Sequence, residues 1–314
     1  MGSKGEPAPT WKRQPEAGSQ GADVRAKPTA EVGILGGSGL YDLAGFGDAR
    51  RVVIDTPFGP PSDALWVGTV EDRSVAFLAR HGREHRLLPG EINYRANIFA
   101  FKTLGVERVL SASAVGSMRE DVHPRDVVVP DQFIDRTRNR PSTFFGDGIA
   151  AHVSFGDPVC PELRAALVDS ARRAQARVHD GGTYLCIEGP AFSTRAESML
   201  YRGWKVDVIG MTNLQEAKLC REAEMCYATM ALVTDYDCWH EEHDDVSVET
   251  LIDNLKANAA LAVAVLRAAL GALPRDARSC DCGNALRHAI ITPRSAISAE
   301  ARERLRPILA RYLE

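Results

Sequence analysis

The strongest chemical signal in the chain is a pair of aspartates two residues apart at the end of an apolar run. Tyr227-Ala228-Thr229-Met230-Ala231-Leu232-Val233 has the composition of a fully buried strand, and it leads directly into Thr234-Asp235-Tyr236-Asp237-Cys238-Trp239. Carboxylates at the mouth of a buried strand lose hydration and need partners. Helix capping or ion pairing would supply them for a purely structural pair. The chemical alternative is that Asp235 and Asp237 accept hydrogen bonds from a purine's amino group and deliver a proton to its ring nitrogen. His240 and His243 follow closely. However, His240-Glu241-Glu242-His243 lacks the i, i+4 histidine spacing of a metallohydrolase helix, so no metal is expected there.

Four other strand ends carry groups suited to an anion. Gly36-Gly37-Ser38-Gly39 offers backbone N–H groups and a hydroxyl. Its spacing is neither G-x-G-x-x-G nor a P-loop, which counts against a dinucleotide-dependent oxidoreductase. Arg80 and His81 directly follow Val75–Ala79, from which an arginine is expected to reach a phosphate with both arms of its guanidinium. Ser111-Ala112-Ser113-Ala114-Val115-Gly116-Ser117 and Ile209-Gly210-Met211-Thr212-Asn213 add further hydroxyls. Taken singly, these are a tight turn, surface charge and small residues that permit close packing. Taken together they supply donors for one anion without a carboxylate cluster for Mg²⁺, which favours inorganic phosphate over a nucleoside triphosphate.

Strand ends converge on a ligand when strands alternate with helices, and the chain is patterned that way. Strands are expected at Val32–Leu35, Val75–Ala79, Arg108–Ser113, Asp126–Val129, Gly182–Ile187, Val206–Ile209 and Tyr227–Val233. Helices are expected at Tyr94–Leu104, Pro161–Ala176, Thr194–Gly203, Gln215–Glu224 and Val248–Ala272, the last with Ser247 as N-cap. The fold class is therefore α/β, a single domain on a mixed, twisted central sheet flanked by helices. Residues 1–29, rich in Gly, Pro, Ala and charge, read as a disordered tail. Residues 30–273 form the domain. Residues 274–314 read as a linker followed by a polar helix from Ser298 to about Leu313, an appendage.

The 314 residues are 45% hydrophobic and 25% charged with a formal net charge of −4, which favours neither nucleic acid nor an anionic membrane as a partner. No signal peptide or spanning segment is recognisable, so a cytoplasmic location is expected. Of the seven cysteines, Cys160, Cys186, Cys220, Cys226 and Cys238 read as small core residues. Cys280-Asp281-Cys282 offers only two ligands, too few for zinc, and either a strained disulfide or two thiols fits it.

Over residues 31–270 the chain resembles the methylthioadenosine phosphorylase branch of the trimeric purine nucleoside phosphorylase family. The resemblance rests on Gly36-Gly37-Ser38-Gly39-Leu40, Asp55-Thr56-Pro57-Phe58-Gly59, Ala79-Arg80-His81-Gly82 and Asp131-Gln132-Phe133-Ile134-Asp135-Arg136-Thr137. It continues through Ile187-Glu188-Gly189-Pro190, Phe192-Ser193-Thr194-Arg195-Ala196-Glu197-Ser198 and the Asp235/Asp237 segment. It implies phosphorolysis of 5'-methylthioadenosine to adenine and 5-methylthioribose 1-phosphate, a homotrimer, and no metal or organic cofactor. Adenosine, methylthioinosine and inosine are the competing substrates, and a non-catalytic nucleoside-binding protein is the competing class.

By resemblance, Ser38, Arg80, His81, Ser113, Ala114 and Thr212 would hold phosphate, and Met211 would lie under the ribose. Phe192 would pack on the base with Ser193 in support, and Asp235 and Asp237 would read N7 and the 6-amino group. His152, open to being supplied by a neighbouring subunit, would join Val248, Leu251 and Ile252 around the 5' substituent. Ser38 and Ser113 depart from the threonine equally expected there but keep the hydroxyl. The Cys280/Cys282 pair is similar to a paired-cysteine feature of some thermophilic relatives.

Overall fold

The computed structural model describes residues 29–37, 40, 48–240 and 248–313, with backbone alone for residues 248–252 and 255. The tail expected before residue 30 lies, except for Thr29, outside the described residues, as do Ser38, Ser247 and His243. Among the described residues eleven strands form one mixed sheet, and its hub is β5 (Arg108–Ser117). The first half of β5 pairs in parallel with β1 (Val32–Gly36), which in turn pairs with β4 (Arg73–Ala79). Its last two residues pair antiparallel with β10 (Val208–Gly210), and β11 (Cys226–Tyr236) runs parallel along its whole length. All five residues of β1 and the first nine of β11 are buried, which is why both read as unbroken apolar runs rather than alternating ones.

Beyond β4 the sheet continues through β3 (Leu65–Val70) to β2 (Arg50–Val52). Beyond β10 it continues through β9 (Thr183–Ile187) to β7 (Gln132–Arg136). A branch leads from β11 to β6 (Val127–Val129) and β8 (Val178–Asp180). Strands β2, β3, β7 and β8 were not expected. The β3–β4 hairpin is turned by Glu71 and Asp72, both at positive φ, in place of the Asn-Gly pair that marks such turns in a sequence.

Helices cover both faces. On one face α1 (Tyr94–Thr103) and α4 (Leu214–Glu222) bury Ile98, Phe101 and Leu219. On the other, α2 (Pro161–Arg173) and α5 (Val248–Ala272) bury Leu163, Leu167, Val265 and Leu266. A further helix, α3 (Arg195–Gly203), is opened by a capping box in which Thr194 and Glu197 satisfy each other's backbone N–H groups.

The C-terminal segment is no appendage. Its expected single helix is two short ones, α6 (Ala299–Arg304) and α7 (Arg306–Leu313), broken at Leu305 with Pro307 in the first turn of the second. Leu286, Ala289, Ile297, Leu305, Ile308 and Leu309 sit in the same core cluster as α1 and α4. The segment also hydrogen-bonds the 146–152 loop, with Ile291 N–H on Ala150 O at 2.9 Å and His152 N–H on Ala289 O at 2.9 Å. Cys160 and Cys226, expected to be isolated core residues, instead face Cys280 and Cys282. Sequence spacing cannot reveal that meeting, because three distant stretches make it.

One irregularity positions the aspartates. Val233 opposes Val115 and Asp235 opposes Gly116, so Thr234 is an extra residue, a β-bulge in β11. The bulge re-aims the strand end, and backbone carbonyls on either side of it also accept from side chains, Val233 O in addition to Arg125 N–H at 2.8 Å. Two buried α5 asparagines are those donors: Asn254 Nδ2 donates to Thr234 O and Asn258 Nδ2 to Val233 O, each at 2.9 Å. Arg125 Nε donates to Asn254 Oδ1 at 2.8 Å and holds that amide in orientation. Asn254→Ala therefore leaves a buried carbonyl unpaired and is expected to cost about 1–3 kcal/mol of stability. Guanidinium unfolding at fixed protein concentration measures this, and an unchanged midpoint would show that the bulge does not depend on α5.

Candidate active site

The carboxyl ends of β1, β4, β5, β10 and β11 surround a cavity of about 310 Å³. Its walls include Gly37, Arg80, His81, Ser113, Ala114, Gly116, Met211, Thr212, Asp235 and Asp237, with Phe192 at the edge. The five strand ends singled out for chemistry thus open on one space. Ile187, Ile209, Val115 and Leu232 make much of the remaining wall apolar.

The floor is set by Arg80, which is 1% exposed. Its Nε and Nη2 grip the two carboxylate oxygens of Glu216, itself 1% exposed, with the Nη2–Oε2 contact at 3.2 Å. Nη2 also donates to Ser111 Oγ at 2.5 Å, and Nη1 donates to Ala112 O at 3.0 Å. Ser111 Oγ and Tyr227 OH donate to Glu216 Oε2 at 3.0 and 2.9 Å. Burial alone would lower the arginine's pKa, but the Glu216 charge and hydrogen bonds outweigh it and hold the pKa above its ordinary value, so the guanidinium stays charged. The expectation of a two-armed grip on phosphate is corrected here. The fork of Arg80 is spent on Glu216, and only the second N–H of Nη1 remains for the cavity. Glu216 was not singled out from the sequence. Its only trace there is an acidic residue on the inward face of a helix expected to pack on the sheet.

His81 is buried beside Arg80, and its Nδ1–H donates to Leu87 O at 2.9 Å. Burial and then the Arg80 charge push its pKa down to about 4, so the ring is neutral and its Nε2 is an acceptor near pH 7. Ser113 Oγ is buried without a hydrogen-bond partner. Thr212 and Met211 stand on the turn into α4. Asn213, in the left-handed region at φ 80°, accepts from Thr212 Oγ1 at 2.7 Å and donates to Thr229 Oγ1. Asn is among the few residues that tolerate that conformation. Arg140, also missed from the sequence, buttresses the same turn by donating to Met211 O at 2.5 Å and to the Ile187 and Glu188 carbonyls.

The two aspartates have different surroundings. Asp235 Oδ2 accepts from Thr234 Oγ1 at 2.6 Å. Burial raises its pKa to about 6, opposed by Thr234 and assisted by the Asp237 charge. Asp237 is also raised, chiefly by burial, and its Oδ2 is buried with no hydrogen-bond partner. Gly116 makes room for both, since a Cβ there would meet Asp235 Oδ1 at 3.2 Å and Asp237 Cβ at 3.6 Å. An orphaned acceptor beside a carboxyl that is partly neutral near pH 7 suits a ligand offering one N–H and needing one proton.

Other expected residues are placed differently. Phe192 is 81% exposed at the cavity edge, and Ser193, with a buried and unpartnered Oγ, lies behind it. His152 is exposed and does not line this chain's cavity. Val248, Leu251 and Ile252 begin α5 at i, i+3 and i+4, but their side chains lie outside the described residues. His240 contacts Glu120 at 3.4 Å and stacks on Tyr236, away from the cavity lining.

Residues 31–271 match the family model of the phosphorylase superfamily. The chain is 57% identical over 283 residues to an S-methyl-5'-thioadenosine phosphorylase of Geobacter sulfurreducens, covering 90% of this chain and 99% of that protein. It is also 57% identical over 283 residues to the protein of the same name from Koribacter versatilis, covering 90% and 97%. Among solved structures, it superposes on a methylthioadenosine phosphorylase from an Antarctic soil metagenomic library with a TM-score of 0.87 at 49% identity, covering 90% of this chain and all of that one. A Schistosoma mansoni methylthioadenosine phosphorylase in complex with adenine superposes with a TM-score of 0.73 at 36% identity, covering 78% and 93%.

The Arg80–Glu216 pair carries the most direct energetic consequence of this geometry. Glu216→Gln keeps the shape but strands a buried guanidinium without its counter-charge, with an expected loss of about 3–5 kcal/mol. Thermal and guanidinium unfolding test it, and a loss below about 1 kcal/mol would show that water or another group already balances Arg80.

Proposed function

We propose, from the premise that this chain belongs to the phosphorylase superfamily, that it cleaves 5'-methylthioadenosine with inorganic phosphate to give adenine and 5-methylthioribose 1-phosphate. The observation that carries the assignment of base is the unpartnered buried Oδ2 of Asp237 beside the elevated pKa of Asp235. A 6-aminopurine offers a donor at position 6 and a basic N7, and the two carboxyl groups complement both.

In this reading, breaking the C1'–N9 bond leaves its electron pair on the purine and positive charge on the ribose. Asp235 delivers its proton to N7, so the purine departs neutral. Asp237 accepts from the 6-amino group. Phosphate approaches C1' from the opposite side and forms the new C1'–O bond, stabilising the cationic sugar as it comes. Ser38, Ser113, the backbone at Ala114 and the remaining Arg80 N–H donate to it, and Thr212 does so once its hydroxyl hydrogen turns from Asn213. Neutral His81 accepts from a protonated phosphate oxygen. The Arg80 charge, already balanced by Glu216, acts through orientation more than through net attraction. Met211 lies under the ribose and Phe192 closes over the base with Ser193 behind it. The displacement needs neither a metal nor an organic cofactor, with phosphate as co-substrate.

A homotrimer acting in the cytoplasm completes the proposal. Phe192, Met199, Leu200 and Trp204 are apolar yet 81%, 55%, 50% and 43% exposed before, on and just after α3, a surface suited to a neighbouring subunit. That neighbour would bring its own His152 toward the 5' substituent, alongside Val248, Leu251 and Ile252. Among the described residues no helix is long and apolar enough to cross a membrane.

Phosphate-dependent release of adenine tests the activity. Because each buried methyl or methylene gains about 0.8 kcal/mol, kcat/KM for methylthioadenosine should exceed that for adenosine by about ten-fold or more. Equal values would mark a general adenosine phosphorylase. Asp237→Asn replaces an acceptor with an amide donor, so the ratio of methylthioadenosine to methylthioinosine kcat/KM should fall about ten-fold or more. An unchanged ratio would remove Asp237 from base recognition.

Asp235 has its pKa raised, so its proton-donating form is present below about 6 and is lost as pH rises through that value. The advantage of the native chain over Asp235→Asn in kcat/KM should therefore shrink with rising pH. A ratio that stays flat from about two units below to about two units above that pKa would exclude Asp235 as the acid.

A further inference from the structure

Away from the cavity, four cysteines from three separate stretches converge. Cys160 immediately precedes α2, Cys226 opens β11, and Cys280 and Cys282 flank Asp281 in the C-terminal segment. Their four sulfur atoms all lie within 4.8 Å of one another, with Cys226 Sγ and Cys280 Sγ at 3.3 Å. Cys160, Cys226 and Cys282 are buried, and Cys280 is half-buried. None of them lines the cavity.

We propose that these four thiolates bind one structural Zn²⁺ ion, which fastens the C-terminal segment to the sheet. Tetrahedral zinc with Zn–S bonds of about 2.3 Å holds its sulfurs about 3.8 Å apart, inside the spread found here. Two disulfides would need only two close pairs. Here every sulfur is within reach of all three others, which is the arrangement a single central ion requires. Four protein ligands close the coordination sphere and leave no open position for substrate, as in structural rather than catalytic sites. Four thiolates around Zn²⁺ carry a net charge of −2, and a cation stands beside them. Arg278 Nη1 is 3.9 Å from Cys226 Sγ and is held by donating to Glu224 O at 2.8 Å. The expectation that Cys280 and Cys282 are too few for zinc counted only neighbours in sequence, and the fold supplies the other two.

The site joins the start of α2, the start of β11 and the C-terminal segment. Cys160 N–H donates to Tyr227 O at 2.8 Å, and Cys226 N–H donates to Glu107 O at 2.9 Å, so both ligands are tied to the sheet. The Cys-Asp-Cys turn then fixes the start of the segment whose Leu286 and α7 enter the core. Each ligand sheds a proton on binding, so metal binding is linked to folding of this segment.

The test is metal content of the full, untagged chain purified under reducing conditions without chelator. Elemental analysis is expected to find one zinc per chain. Titration with an organomercurial should release that zinc to a colorimetric indicator as four thiols react. Reduced metal-free protein given Co²⁺ should show the charge-transfer and visible d–d absorption of tetrahedral thiolate coordination. The double variant Cys280→Ser/Cys282→Ser should lose the metal and show a lower thermal midpoint, while kcat/KM for nucleoside stays within about two-fold. If that variant does not fold, the zinc stoichiometry and cobalt spectrum of the native chain decide. Less than about half an equivalent of zinc after reduction and reconstitution would overturn the proposal. So would metal retained by the double variant, or peptide mapping that finds these cysteines joined as disulfides in the metal-free protein as isolated.

Discussion

A buried ion pair organises this molecule. Arg80 leaves the end of β4, Glu216 projects from α4, and both are withdrawn from water against Ser111 in the first half of β5 and Tyr227 near the start of β11. Neither charge is tolerable there alone, because desolvation costs several kcal/mol per ion. Each is therefore satisfied several times over, the guanidinium by Glu216, Ser111 and Ala112, and the carboxylate by Arg80, Ser111 and Tyr227. The network fixes three strands and a helix relative to one another at the floor of the cavity. Replacing it with apolar residues would relieve the desolvation cost but would lose the directional bonds that hold those strand ends in register.

Above that floor the cavity is arranged so that its polar atoms do not satisfy one another. Ser113 Oγ and Asp237 Oδ2 are buried and unpartnered, whereas the surrounding elements are held by side chains that hydrogen-bond to backbone and to one another. Asn254 and Asn258 hold the bulge, Arg140 holds the turn at Met211, and Asn213 holds Thr212. Stability lost by leaving a few groups unpaired is offset by the supporting layer. The result is a site whose donors and acceptors are in position before a ligand arrives, which lessens the reorganisation needed in the reaction.

The same division between local and distant contacts appears at the far side of the sheet. The C-terminal segment contributes apolar side chains to the core and backbone hydrogen bonds to the 146–152 loop. Its polar composition hides this, because Leu305, Ile308 and Leu309 are few and separated by charge. The four cysteines stand at the root of this segment, ahead of its first core residues.

What the sequence determined by itself was the alternation of elements and the chemistry placed at their ends. Buried strands such as β1 and β11 announce themselves as continuous apolar runs, and the groups that follow β1, β4, β5 and β11 emerge on one side because those four strands run parallel. The fold class, the family and most of the cavity wall were legible for that reason. Edge strands β2, β7 and β8 were not, being short and largely exposed, and β3 was hidden by a Glu71–Asp72 turn that no local rule marks. Only the tertiary structure decided that Arg80 spends its charge on Glu216, that Thr234 is a bulge, and that Cys160 and Cys226 meet Cys280 and Cys282. Each of these depends on partners between about 50 and 140 residues apart. Periodicity and propensity act over one or two turns, whereas such pairings are selected by the packing of the whole sheet.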